Sequence, residues 1–134
     1  MKNLKLVVAS SIFTILFSVN AFAQSSPKII AVINKANWCS VCKANEERAM
    51  AAFNENNKDG AYQFVVNDLS NAETAKKSAG KINQLGLTKL MEPYQATGIV
   101  CLFDAKTKKP INQLLMSLSS EDIGRAMAML KKDR

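Results

Sequence analysis

Histidine is absent from all 134 residues. This removes the commonest metal ligand and the commonest general acid or base together, and with them most hydrolase chemistry built on Cys-His or Ser-His pairs. Cysteine is scarce as well. The three present, Cys39, Cys42 and Cys101, are too few and too odd in number for a disulfide framework, and divide naturally into one pair and one leftover. Beyond the N-terminus no apolar run reaches the roughly 20 residues of a membrane-spanning helix, and there is no internal repeat or low-complexity tract. Aromatic residues do not interleave with the lysines at 76–77, 106–109 and 131–132, so the net charge of +7 describes a solvated surface and points to no nucleic-acid partner.

What is present begins with Lys2 and Lys5 ahead of an apolar run from Leu6 to Val19, then "AFAQ" with small residues at Ala21 and Ala23. This is the pattern of a secretory signal peptide cut after Ala23. The expectation is a signal peptide over 1–23 and one domain over 24–134, periplasmic or secreted, without membrane insertion after cleavage. Losing Lys2 and Lys5 lowers the charge to +5.

The rest of the chain alternates between two periods. "KIIAVIN", 28–34, is an apolar, β-branched run that predicts a buried strand. From Ser40 the period changes, with Cys42, Ala49, Ala52 and Phe53 on one helical stripe and Lys43, Glu47 and Asn54 opposite. "AYQFVVND", 61–68, reads as a second strand with Tyr62, Phe64 and Val66 on one face. Ser70 and Glu73 read as a capping box for a helix that carries Ala75, Ala79 and Ile82 inward and ends at Gly86. "LTKLMEPY" suggests a helical turn halted near Pro93. "GIVCLFD", 98–104, and "PINQLL", 110–115, predict a hairpin, and Ser119 with Asp122 opens a last helix with Ile123, Met127 and Leu130 on one stripe. The methionines at 116, 127 and 129 read as core filler. The order β-α-β-α-β-β-α makes a three-layer α/β sandwich.

Chemistry concentrates in "NWCSVC", 37–42. A Cys-x-x-Cys pair at a strand-to-helix junction puts the first sulfur near the helix N-cap, where unpaired N–H groups and the helix dipole favour a thiolate. Cys39 is therefore expected to be the more exposed, lower-pKa nucleophile. Cys42, one turn on and facing the core, is expected to be the buried resolving thiol.

This motif after an apolar strand, with the element order above, resembles the thioredoxin superfamily, and the export signal resembles its bacterial envelope thiol-disulfide oxidoreductases. The resemblance spans nearly all of the chain after Ala23. It implies a central sheet flanked by helices, Trp38 covering a redox-active Cys39–Cys42 disulfide, and no other cofactor or metal. It also implies a substrate-aligning edge, which falls here at Thr97 and Gly98. Two departures stand out. The family's usual cis-proline at that edge is missing, so the Thr97–Gly98 bond is expected to be trans or flexible. The usual buried acid six residues before the first cysteine is Ile33, so the resolving thiol's proton must go to water or to a carboxylate from elsewhere.

The expected activity is thus reduction of disulfides in exported proteins by a monomer served by an electron donor or acceptor that the sequence does not identify. The pair "SV" between the cysteines matches neither the Gly-Pro of reducing thioredoxin nor the histidine-containing pairs of strong oxidants, and a motif without imidazolium leans toward a reductant. Three alternatives remain. One is a static disulfide and another a fold kept for protein contacts. The third is a Cu(I)-binding metallochaperone using the same cysteines, with Gly98 leaving room beside the sulfurs. Which way Cys101 points is open at this level.

Overall fold

The computed structural model describes residues 26–134; the signal-peptide expectation lies outside them. The elements are β1 (Ile29–Lys35), α1 (Ser40–Glu55), β2 (Tyr62–Asp68), α2 (Ala72–Gln84), α3 (Thr88–Met91), β3 (Ile99–Asp104), β4 (Pro110–Leu115) and α4 (Ser120–Lys132). Among the described residues four strands form one sheet in the order β2-β1-β3-β4. β1 and β2 run parallel, joined by α1, whereas β1–β3 and β3–β4 pair antiparallel.

The apolar run of β1 buries both faces because helices cover both. Ile29, Ala31 and Ile33 face one core, with Ala49 and Phe53 of α1 and Ile123 and Met127 of α4. Ile30 and Val32 face the other, with Ile82 of α2, Leu87 just before α3 and Met91 of α3. This is the expected three-layer sandwich, with the short α3 added. The buried residues of α1 are the four that its period marks: Cys42, Ala49, Ala52 and Phe53.

Several local expectations are corrected. The N-cap of α2 is Asn71, whose side chain accepts from the Thr74 amide at 3.0 Å while Thr74 Oγ1 accepts from the Asn71 amide at 3.3 Å. Ser70 is drawn elsewhere, as described below. The start moves by one residue, and the inward positions of α2 become Ser78 and Ile82, leaving Ala79 exposed. Gly80 does not interrupt the helix, and Gly86 follows its end at φ +71°. Val66 lies near the end of an edge strand and is exposed. Met116 and Met127 are core residues, but Met129 faces solvent.

Candidate functional site at the Cys39–Cys42 disulfide

The site forms where β1 hands over to α1. The Cys39 amide donates to Ala36 O at 3.2 Å, closing a turn, and Cys39 becomes the N-cap of α1 with extended backbone. Its Sγ accepts a hydrogen bond from the Cys42 amide at 3.2 Å, and its carbonyl accepts from the Lys43 amide at 3.0 Å. A side-chain acceptor at the N-cap is ordinarily Ser, Thr, Asp or Asn oxygen; here sulfur takes that place. Cys39 and Cys42 are disulfide-bonded, with Cα atoms 5.2 Å apart.

Both cysteines are largely buried, Cys39 at 6% exposure and Cys42 at 1%. The order of access is as expected, Cys39 being the more exposed of the two although both are largely covered. Trp38 is 61% exposed, so most of the indole is turned to solvent. Val41 on the first turn of α1, Val66 near the end of β2 and Leu115 at the end of β4 are further exposed apolar side chains at this end of the sheet. A cavity of about 570 Å³ opens at the opposite end, before β1, lined by Lys28, Asp104 and Arg134 among others.

The motif turn is tied to the turn after β2. The Asn37 amide donates to Ser70 Oγ at 2.8 Å, and the Leu69 amide donates to Lys35 O at 2.8 Å. Ser70 in turn donates its hydroxyl and amide to Asp68, holding that carboxyl below its ordinary value. This explains why Ser70 does not cap α2.

Gly98 reaches the disulfide from the other side. A Cβ there would stand 3.7 Å from Cys39 Sγ and 2.9 Å from Val41 Cγ1, and φ is +79°, a region that favours glycine. The backbone at Gly98 is fully engaged, its amide donating to Asn34 O at 2.8 Å and its carbonyl accepting from the Met116 amide at 2.9 Å. The described residues contain no cis peptide bond, so Thr97–Gly98 is trans. Thr97 itself has neither its amide nor its carbonyl bonded within the described residues. The room expected beside the sulfurs at Gly98 is occupied by Val41.

Cys101 lies on the reverse of the sheet. It pairs with Val32 in register and packs in the core of Ile30, Ile82 and Phe103, whereas the disulfide belongs to the core on the other face. Burial pushes its thiol up to about 11. It is neither a third thiolate for a metal nor a partner for the pair. Ile33, where the family's acid would stand, is fully buried on the disulfide's side. Glu46, one turn after Cys42 on α1, is ion-paired with Lys35 at the end of β1.

A sheet ordered β2-β1-β3-β4, α1 and α4 against α2 and α3 across it, and a Cys-x-x-Cys disulfide capping α1 at the C-terminal end of β1 together decide the architecture. The fold is thioredoxin-like. The crystal structure of Trxlp from Edwardsiella tarda EIB202 is similar to this chain, with 14% identity, a TM-score of 0.48, and coverage of 78% of this chain and 85% of that one. No family model and no curated protein matches the chain.

Sequence reasoning missed two residues that support the surroundings of the disulfide. Asn34, read as the polar end of a strand, is completely buried behind the Tyr94–Gly98 segment. Arg48, on the helix that carries the cysteines, donates to Met116 O at 2.9 Å and to Leu118 O at 2.5 Å, bracing the segment that holds Gly98. The only sequence signal for Asn34 was an amide adjoining an unbroken apolar run.

Proposed function

We propose that this chain is a thiol-disulfide oxidoreductase of exported proteins, acting as a reductant in the periplasm or outside the cell. The observation that carries the reading is Cys39 as N-cap of α1, its sulfur already accepting the Cys42 amide and already paired with Cys42. In the reduced protein the same amide and the helix dipole stabilise a thiolate on Cys39.

The reaction balances as two exchanges. The Cys39 thiolate attacks a client disulfide, forming a mixed disulfide and expelling one client thiolate. Cys42, its proton passing to water, then attacks Cys39 Sγ, forming the Cys39–Cys42 disulfide and expelling the second thiolate. The client gains two electrons and the protein loses two, so a dithiol donor must restore it. The exposed Trp38, which adjoins Cys39, and Val41, between the two cysteines, suit contact with a protein client.

The lean toward reduction rests on how little stabilises the thiolate. No histidine and no cationic side chain stands between the cysteines, so the reduced form is favoured less than in strong oxidants. The test is the reduction potential of the pair in metal-free protein, equilibrated against dithiol buffers and read by alkylation. A value near or below about −250 mV supports a reductant, and one near about −120 to −180 mV replaces it with an oxidant or isomerase. Stoichiometric Cu(I) binding with no exchange activity would overturn the reading in favour of metal delivery.

A further inference from the structure

Asn34 is an asparagine with no exposed surface, at the end of the most buried strand of the sheet. Both hydrogens of its side-chain amide are used on one loop: Nδ2 donates to Tyr94 O at 2.7 Å and to Ala96 O at 3.1 Å. Its backbone carbonyl takes the Gly98 amide at 2.8 Å, so a single residue holds three successive points of the segment 94–98. Asn67, its register partner on β2, is also buried and donates Nδ2 to Asn34 Oδ1 at 2.9 Å. That bond fixes which way the Asn34 amide faces, because Oδ1 toward Asn67 leaves Nδ2 toward the loop.

The consequence falls on Thr97. The carbonyl of Ala96 before it and the amide of Gly98 after it are drawn inward, while the Thr97 amide and carbonyl are left without partners within the described residues. An unpaired backbone donor and acceptor side by side are what an extended peptide needs for β-type pairing. The loop has no proline to stiffen it, and a buried amide pair costs desolvation that apolar residues would not.

We infer that Asn34, oriented by Asn67, is a positioning residue that sets the Thr97 backbone as a docking edge for the peptide flanking a client disulfide, in place of a ring-constrained loop. This role rests on the oxidoreductase reading. It separates peptide disulfides, which need the edge, from small disulfides, which need only the sulfur.

The experiment compares reduced wild type, Asn34→Leu and Asn67→Ala in stopped-flow reaction with a disulfide-bonded peptide and with the small aromatic disulfide 5,5′-dithiobis(2-nitrobenzoic acid). The reduction potential of each protein is measured in parallel. The expected result is a tenfold or greater loss of rate with the peptide for Asn34→Leu and a smaller loss for Asn67→Ala. Rates with the aromatic disulfide and the potentials should stay within twofold. Hydrogen exchange at residues 94–98, compared between wild type and Asn67→Ala, should rise in the variant, and serves if Asn34→Leu does not fold. Equal losses with both disulfides, or unchanged peptide rates and unchanged exchange, would overturn the positioning role while leaving the oxidoreductase reading in place. Wild type that reacts with neither disulfide would remove both.

Discussion

Val41 stands where a side chain at position 98 would have to go, its Cγ1 2.9 Å from the place of a Gly98 Cβ. The first turn of the cysteine helix and the approach to β3 are fitted to each other across the disulfide. Gly98→Ala must therefore bear both a contact and an unfavourable φ of +79°, and is expected to cost about 1–3 kcal/mol, read as a lower urea midpoint. Adding Val41→Ala should recover the steric part alone. Gly98→Pro should be worse than alanine, since it also removes the amide that bonds Asn34 O. An unchanged midpoint for Gly98→Ala would contradict this account.

Cys42→Ser should leave Cys39 able to attack but unable to be released, so mixed disulfides with client proteins accumulate and survive non-reducing electrophoresis. Cys39→Ser should abolish both trapping and turnover. Recovery of the same adducts from Cys39→Ser would exchange the roles of the two sulfurs.

Burial raises the Cys101 thiol from its ordinary value near 9 to about 11. A raised folded-state value means that the folded form holds its proton longer than the unfolded chain, so stability is full below pH 9 and declines as pH rises toward 11. The full decline, reached above pH 11, should amount to about 3 kcal/mol, from about 1.4 kcal/mol per pKa unit. The Tyr62 hydroxyl, buried and donating to Met127 O at 2.7 Å, is also pushed upward and acts in the same direction at higher pH. Denaturant midpoints measured from pH 8 to 11 should fall in wild type and fall less steeply in Cys101→Val. Parallel curves would show that another group controls alkaline unfolding.

Arg48 spans from α1 to the carbonyls of Met116 and Leu118, and Met116 in turn holds Gly98. Removing a charged donor to two partly buried carbonyls should cost about 2 kcal/mol in Arg48→Ala. Arg48→Lys should restore little, because one ammonium does not reproduce the fork of the guanidinium. Thermal unfolding of the three proteins decides it; full rescue by lysine would reduce the brace to a matter of charge.

Much of the fold was legible because its signals are local. The change from an apolar run to a 3.6-residue stripe at Ser40 locates the end of β1, the start of α1 and the burial of Cys42 together. What was not legible depends on register and competition. Ser70 and Asn71 are both capable caps, and the choice was made by Asn37, 33 residues away, whose amide donates to the Ser70 hydroxyl oxygen. Cys101 sits in an unbroken apolar strand buried on both faces, where alternation carries no contrast, and only pairing with Val32 fixes its side. Asn34 was hidden for a related reason: a polar residue at a strand's end ordinarily meets water, and the loop that covers it arrives from 60 residues further on.

The placement of Cys101 across the sheet also governs how the chain can fail. The folded molecule has three cysteines, but a β-sheet stands between the third and the disulfide of the other two, so no rearrangement of bonding partners is open without dismantling the core. A chain carrying Cys39–Cys101 or Cys42–Cys101 is therefore a record of past unfolding under oxidising conditions. The mismatched species is a clock for excursions from the native state, slow in a stable protein and faster in every destabilised variant above.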